Sequence, residues 1–176
     1  MTAPTEHAVV AEPMRIGVVG AGAMGAGIAL VAAAHGHAVC LADAFPAALA
    51  RAREAHQGAM ARDVTKNRRS MQDAASVLSR ITYVDASAKE GMAPLASCGF
   101  VIEAIVEQLA AKQALFASLE AVIANDAILA TNTSSLSIAA LAGACKHPSR
   151  VLGVHFFNPA PVMALVAITL GGGLGN

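Results

Sequence analysis

Residues 15–27, RIGVVGAGAMGAG, decide the fold of this chain. The segment starts as an apolar strand, turns through Gly20-x-Gly22-x-x-Gly25, and continues in small apolar residues that favour a helix. Each glycine has its own role in such a strand–turn–helix unit. Gly20 permits the tight turn, Gly22 lets a ligand approach the backbone, and Gly25 allows the helix to pack closely on the strand. The segment therefore predicts the phosphate-binding turn of a dinucleotide site.

A helix start and a carboxylate complete this site. The N–H groups of Ala23 and Met24 lie where the helix begins, so they are free to bind a pyrophosphate at the positive end of the helix dipole. Asp43 closes the next apolar strand, where a carboxylate accepts hydrogen bonds from both ribose hydroxyls of adenosine and repels a 2′-phosphate. The pattern favours NAD over NADP. The alternative is an α/β sheet whose glycines serve packing alone.

Short apolar runs alternate with longer helical runs along the chain. Strands are predicted at residues 15–19, 38–42, 81–84, 100–104, 128–131 and 151–155, and helices at residues 24–35, 46–62, 71–79, 112–123 and 138–141. This alternation indicates a parallel sheet covered on both faces. We therefore predict an α/β fold, a Rossmann-type doubly wound and mainly parallel sheet, over residues 14–170. Residues 1–13 are expected to form a flexible leader, and residues 171–176 a disordered tail.

The composition argues against several classes of function. The 176 residues suffice for one well-buried domain, and their formal net charge of zero gives no electrostatic footprint for nucleic acid. The three cysteines form no CxxC pair, so we expect a reducing, cytoplasmic compartment with no disulfide framework and no metal site. The uncharged stretch 16–34 has about the length of a membrane span, but its glycines disfavour a continuous helix. We expect no membrane partner.

Polar residues follow the later strands. Glu107 and Lys112 come after the fourth predicted strand, Ser134 comes after the fifth, and His155 ends the sixth. Because parallel sheets bind ligands at the carboxyl ends of their strands, we expect these side chains to face the cofactor. The alternatives are that Thr133 or Ser134 caps the next helix, that Glu107 is a solvated first-turn acid, and that His155 is a satisfied core histidine.

Four ordered segments carry a resemblance to a known family. They are GVVGAGAMGAGIA (17–29), EAIVE (103–107), NTSSLSI (132–138) and GVHFFNPAPVMALV (153–166). From about Met14 to Val166 the chain resembles the NAD-binding domain of the L-3-hydroxyacyl-CoA dehydrogenase family, which includes bacterial 3-hydroxybutyryl-CoA dehydrogenases. The family oxidises the 3-hydroxyl of an acyl-CoA to a ketone and passes the hydride to NAD. The resemblance also implies a helical hairpin inserted after the second strand.

The resemblance assigns roles to residues at matching positions. NAD would be bound by Gly20, Gly22, Ala23, Met24, Gly25, Asp43, Glu107, Lys112, Ser134 and Asn158. Ser134 would also hydrogen-bond the substrate hydroxyl, Asn158 would help position nicotinamide or substrate, and His155 would be the general base. An imidazole can take up the hydroxyl proton near neutral pH as the hydride leaves. Basic residues of the hairpin could attract the phosphates of CoA, although a solvated helix face explains the same charges.

Two departures separate the chain from the family pattern. Ala164 and Ala167 stand where the family has a lysine and a glutamate, and no acidic residue follows Asp126. The glutamate pairs with the histidine, and loss of an orienting carboxylate from a comparable dyad lowers turnover by up to about 10⁴. The family also continues into a helical domain that closes the cleft and forms a dimer. We expect this chain to lack that domain, and we expect a homodimer only for a full-length form.

The sequence leaves three functional hypotheses. The first is an NAD-dependent 3-hydroxyacyl-CoA dehydrogenase of fatty-acid or related acyl-CoA metabolism, such as β-oxidation. Its catalysis would be impaired here by truncation or by a change of reading frame beginning between Met163 and Ala167. The second is a non-catalytic NAD-binding fragment or remnant. The third is a different two-domain hydroxyacid dehydrogenase, which HFFNP and NTSSLSI disfavour because those enzymes usually use a lysine later in the chain as the acid.

Overall fold

A computed structural model of the chain describes residues 12–156 and 166–170. In this part of the chain, one sheet is covered by helices on both faces. The predicted leader, residues 1–13, and the predicted tail, residues 171–176, lie almost wholly outside the described residues and stay predictions.

The sheet has seven strands within the described residues, in the order β3-β2-β1-β4-β5-β6-β7. The strands are β1 (Arg15–Val19), β2 (Ala38–Asp43), β3 (Ile81–Asp85), β4 (Phe100–Glu103), β5 (Ile128–Thr131), β6 (Val151–Phe156) and β7 (Val166–Leu170). Strands β1 to β6 are parallel, and β7 runs antiparallel to β6. The six predicted strands and the Rossmann-type doubly wound fold are confirmed. The sequence does not predict β7.

Helices cover the two faces of the sheet. They are α1 (Ala23–Ala34), α2 (Pro46–Thr65), α3 (Met71–Ser79), α4 (Leu109–Glu120) and α5 (Ile138–Ala142), with 3₁₀ segments at Lys89–Ser97 and Pro148–Arg150. Successive residues of a strand point to opposite faces. Val18 therefore packs into the core beneath α1, α2 and α3, whereas its neighbour Val19 packs into the core beneath α4 and α5. Burial on both faces explains why the central strands are apolar throughout.

The α2–α3 pair forms the expected helical hairpin between β2 and β3. Asn67 has a φ of 54° in the connecting turn, a left-handed conformation that asparagine tolerates better than most residues. Ser70 caps α3, because its Oγ accepts a hydrogen bond of 3.0 Å from the N–H of Asp73. The hairpin is therefore built from local signals at its turn and from packing of α2 on the sheet.

A buried histidine ties the hairpin to the rest of the fold. His56 on α2 is 2% exposed; its Nε2 lies 2.8 Å from the carbonyl oxygen of Ala26, and its Nδ1 lies 2.7 Å from the Tyr83 hydroxyl. Because a carbonyl only accepts, Nε2 carries the proton and Nδ1 accepts from the tyrosine. Burial lowers the pKa of His56, and the hydrogen bond to Ala26 opposes this effect only in part. The neutral imidazole thus joins α2 to α1 and β3.

Several element boundaries differ from the predicted ones. Helix α1 begins at Ala23 and α4 begins at Leu109, ahead of the predicted starts. The preceding residues, Gly22 and Gln108, have extended backbone conformations and form the N-caps. Residues 89–97 form a 3₁₀ segment where the sequence predicts no element. The stretch 16–34 is divided among β1, the glycine turn and α1, and no helix in the described ranges is long and apolar enough to cross a membrane.

The substitution His56→Gln tests the role of the buried imidazole. The pKa of His56 is lowered in the folded state, so the unfolded state binds the extra proton first as the pH falls below about 6.5. Stability present above that pH is therefore lost toward acid. We expect the Tm of the unsubstituted chain to fall more steeply between roughly pH 7 and pH 5 than the Tm of His56→Gln. The control is His35→Gln, at an exposed histidine; equal slopes for all three proteins would contradict this account.

Candidate functional site

Two glycines where β1 joins α1 leave no room for a side chain. Gly20 has a φ of 105°, and a Cβ there would lie 2.6 Å from the carbonyl oxygen of Ala104. A Cβ at Gly25 would lie 1.7 Å from the carbonyl oxygen of Gly20. At Gly22, the N-cap of α1, a Cβ would meet nothing within 4 Å. The backbone is thus closely packed at Gly20 and Gly25, and it is open at Gly22, where a pyrophosphate would approach.

Asp43 is fixed against the same turn. Its Oδ2 accepts a hydrogen bond of 2.6 Å from the N–H of Ala21, and its Oδ1 accepts one of 2.8 Å from the N–H of Phe45. Asp43 and Gly22 border the same cavity. Each carboxylate oxygen has a further lone pair, so the group can still accept hydrogen bonds from a ribose.

Two cavities open at the carboxyl ends of the parallel strands. The lining of the first, of about 430 Å³, includes Gly20, Gly22, Asp43, Phe45, Ala48 and Leu115. The lining of the second, of about 340 Å³, includes Met24, Glu107, Asn132, Ser134, His155 and Phe156. Ala104 and Ile105 border both cavities, so the two cavities are neighbours beside the start of α1, and we refer to them together as the groove. Ligands of open parallel sheets bind at such a place.

The groove brings together residues that lie far apart in the sequence. Met24, Glu107, Ser134 and His155 surround its second cavity, as expected from their positions after successive strands. Asn158 lies outside the described residues, and its assignment to nicotinamide or substrate stays a prediction.

Lys112 is buried beneath the groove and does not line it. Its side chain is 1% exposed, and its Nζ lies 2.6 Å from Oε1 of Glu103 and 3.2 Å from Oε2 of Glu107. The buried Glu103 also accepts hydrogen bonds of 2.7 Å from the Thr131 hydroxyl and from the N–H of Ile105. Lys112 therefore holds Glu107 in place, and its expected contact with the cofactor stays a prediction.

Glu107 is an ionised acceptor at the edge of the second cavity. Its Oε1 accepts a short hydrogen bond from the Thr133 hydroxyl and one of 3.1 Å from the N–H of Ser134. Partial burial is the largest single influence on the pKa of Glu107 and raises it. Hydrogen bonds from Thr133, Lys112 and Ser134, with the charge of Lys112, outweigh burial and lower the pKa to about 2. Glu107 also precedes α4, whose N-cap is Gln108, so it is not a first-turn acid.

The loop after β5 contains several polar residues, which differ in the groups that they contact. Ser137, and neither Thr133 nor Ser134, caps α5, accepting a hydrogen bond of 3.2 Å from a main-chain N–H of the first turn. Asn132 joins β5 to β6, because its Oδ1 accepts a hydrogen bond of 2.9 Å from the N–H of Phe156. Sequence reasoning overlooks Asn132 and gives Thr133 only a capping role. The polar run NTSS at a strand end is the signal that points to both.

His155 lies near the carboxyl end of β6 and is half-buried at the wall of the second cavity. It is therefore not the enclosed core histidine of the alternative interpretation. On the antiparallel neighbour β7, the residue paired with His155 is Ala167. Position 167, where the sequence lacks the expected glutamate, is thus the cross-strand neighbour of the histidine.

Comparison with known proteins identifies the family. Residues 15–172 match the family model described as "3-hydroxyacyl-CoA dehydrogenase, NAD binding domain". The chain belongs to the 3-hydroxyacyl-CoA dehydrogenase family. The matched range ends five residues past Ala167, and a change of reading frame beginning between Met163 and Ala167 stays a hypothesis.

Named relatives of this dehydrogenase family agree with the match. The 3-hydroxyadipyl-CoA dehydrogenase of Escherichia coli is 44% identical over 156 residues, which cover 89% of this chain and 32% of the relative. The 3-hydroxybutyryl-CoA dehydrogenase of Bradyrhizobium diazoefficiens is 41% identical over 157 residues, which cover 89% of this chain and 52% of the relative. The crystal structure of 3-hydroxybutyryl-CoA dehydrogenase from Escherichia coli superimposes with a TM-score of 0.84 at 43% identity, covering 90% of this chain and 32% of that one. The chain spans about half of these relatives or less.

NAD is the cofactor of this 3-hydroxyacyl-CoA dehydrogenase domain, and the groove fits it. The open backbone at Gly22 leaves space for a pyrophosphate beside the free N–H groups of Ala23 and Met24. Asp43 borders the first cavity together with Gly22, and Glu107 borders the second together with Met24. The expected roles of Asp43 and Glu107 in binding the two halves of NAD stay predictions.

Substitutions at two glycines should separate folding from binding. In Gly25→Ala the new methyl meets a carbonyl oxygen, so we expect a loss of about 3 kcal/mol or more in the free energy of unfolding. Gly22 has extended backbone angles that alanine adopts, so Gly22→Ala should stay within about 1 kcal/mol of the unsubstituted chain yet bind NADH at least about tenfold more weakly. Denaturation and calorimetry measure the two effects. Gly58→Ala on α2 is the control for binding, and unchanged NADH affinity in Gly22→Ala would contradict this account.

Substitutions at Lys112 and Glu103 test the contribution of their buried ion pair to stability. Lys112→Met leaves the Glu103 carboxylate buried without its cation, so we expect it to lower the free energy of unfolding by about 3–5 kcal/mol. The double variant Glu103→Gln/Lys112→Met removes both charges and should recover most of that loss. Lys146→Met, at an exposed lysine, is the control and should change stability by less than about 0.5 kcal/mol. Urea denaturation of these four proteins and of Glu103→Gln completes the cycle, and additive effects of the two substitutions would show that the charges are not coupled.

Proposed function

We propose that this chain is the NAD-binding part of an enzyme that oxidises the 3-hydroxyl of an L-3-hydroxyacyl-CoA to a ketone. The observation that supports this most strongly is the single groove that holds the glycine turn, Asp43 and His155. The names of the relatives support a 3-hydroxyacyl-CoA as substrate. The metabolic role would be fatty-acid or related acyl-CoA degradation, such as β-oxidation. Three free cysteines support a reducing, cytoplasmic setting.

Each residue of the groove would have one task in this reaction. The main-chain N–H groups at the start of α1 would bind the pyrophosphate, and Asp43 would accept hydrogen bonds from the adenosine ribose. Glu107, ionised and held by Lys112, would accept hydrogen bonds from the other half of the cofactor. NAD supplies the hydride acceptor when it is bound. Ser134 would hydrogen-bond the substrate oxygen, and His155 would take up its proton, a step that contributes about 10²–10⁴ in rate.

A second candidate function is an NAD-binding protein without catalysis. The observation that favours it is Ala167, which stands opposite His155 where a carboxylate would orient the imidazole. We therefore expect the 176-residue chain to bind NADH but to reduce acetoacetyl-CoA only slowly.

One series of chains distinguishes the two functions. The chain is fused to the remaining segment of a 3-hydroxybutyryl-CoA dehydrogenase, with alanine, glutamate or glutamine at position 167. If the chain derives from an enzyme, Ala167→Glu should raise kcat for acetoacetyl-CoA reduction by at least about tenfold, since an orienting carboxylate is worth up to about 10⁴. Ala167→Gln is the matched control and should not, because an amide cannot stabilise the imidazolium by charge. NADH oxidation followed by absorbance is the measurement.

Each possible result of these experiments supports or contradicts a different part of the proposal. NADH binding with no gain in turnover from Ala167→Glu would favour the non-catalytic function. Absence of NADH binding, or NADPH binding as tight as NADH binding, would contradict the proposed cofactor site, because Asp43 should repel a 2′-phosphate. Robust turnover by the unfused 176-residue chain would refute the expected deficit.

A further inference from the structure

The start of α2 carries an aromatic side chain where the helix would benefit from a polar one. Phe45 is the N-cap of α2, and its side chain makes no capping hydrogen bond. Serine, threonine, aspartate and asparagine are preferred at this position because their oxygens accept from the first N–H groups of the helix. Phe45 is also 72% exposed in the folded chain. The residue therefore contributes neither a cap nor a buried contact to the fold.

The backbone of Phe45 is nevertheless held firmly beside the groove. Its N–H donates a hydrogen bond of 2.8 Å to Oδ1 of Asp43, and its carbonyl oxygen accepts one of 2.8 Å from the N–H of Ala48. Pro46 follows at the first helical position and restricts Phe45 to the extended region, where its φ is −111° and its ψ is 103°. The ring is thus carried on a fixed backbone two residues after Asp43, the acid that would bind ribose.

The cavity next to Phe45 is lined mainly by apolar side chains, which suit the flat face of a nucleobase. Besides Phe45 and Asp43, its wall includes Ala44, Ala48, Ala86, Met92 and Leu115. Small alanines leave a slot, and aromatic rings favour offset stacking with planar partners. In adenosine the base is bonded directly to the ribose, so a ribose held by Asp43 places adenine within this apolar part of the groove.

We propose that Phe45 is an adenine-binding residue, whose ring packs against the base of NAD(H) when the ribose is bound by Asp43. This inference rests on the proposed NAD site and assigns its adenine contact. The ligand, rather than the protein core, covers the exposed ring. Phe45 thereby contributes to affinity for the adenosine half of the cofactor, and it takes no part in the chemistry at His155.

Calorimetry of Phe45→Ser with NADH and with AMP tests this assignment. Stacking of a base on an aromatic side chain corresponds to about tenfold in affinity, so both ligands should bind about tenfold more weakly to Phe45→Ser. Phe45→Tyr keeps the ring and should bind both ligands within about twofold of the unsubstituted chain. The Tm of Phe45→Ser should be equal or higher, because serine supplies the missing cap. A loss of folding therefore cannot mimic the expected result.

Met71→Ser is the matched control for removal of an exposed apolar side chain. Met71 is 78% exposed at the start of α3, outside both cavities of the groove, so its substitution should leave both affinities unchanged. Unchanged binding of NADH and AMP by Phe45→Ser would overturn the inference alone. Equal weakening in Met71→Ser would overturn it as well, by showing that the effect is general. Failure of the unsubstituted chain to bind NADH would overturn the proposed function, and this inference with it.

Discussion

The structure depends on one close approach between two main-chain segments. The carbonyl oxygen of Gly20 lies where Gly25 would carry its Cβ, at 1.7 Å from that position. This contact brings the first turn of α1 against the end of β1, and from it follow the direction of α1 and the open N-cap at Gly22. Asp43 then fixes the turn to β2 through the N–H of Ala21. The groove exists because glycine permits a backbone approach that any side chain would block.

Beyond the turn, the groove depends on ion pairs that lie within and beside the sheet. Glu103 ends β4 with no exposed surface, and its carboxylate is paired with Lys112 and hydrogen-bonded by Thr131. The same ammonium reaches Glu107, which in turn receives Thr133 and the main chain of Ser134. One buried cation therefore sets the positions of groups on two successive strand ends. This arrangement connects a buried lysine to a carboxylate that borders the groove.

Features of this fold that depend on residues close together in the sequence could be predicted, and features that depend on contacts between distant segments could not. Strands β1 to β6 and the glycine turn were predictable, because each is a local apolar or glycine pattern. Strand β7 was not, because its pairing with β6 depends on register between distant segments. The 3₁₀ segment at Lys89–Ser97 contains a proline and has no simple apolar period. Burial of Lys112 was equally hidden, since a lysine is buried only when tertiary contacts supply its partner.

The most direct test of this account is a titration of the ¹⁵N-labelled chain with NADH, followed by the amide resonances. Every role proposed for the groove requires that the main-chain N–H groups between Gly20 and Gly25 surround the pyrophosphate. We expect saturable shifts that are largest at these amides and at Phe45, with smaller shifts at Ser134. Unchanged resonances at Gly22 and Ala23, with shifts elsewhere or with none at all, would contradict it.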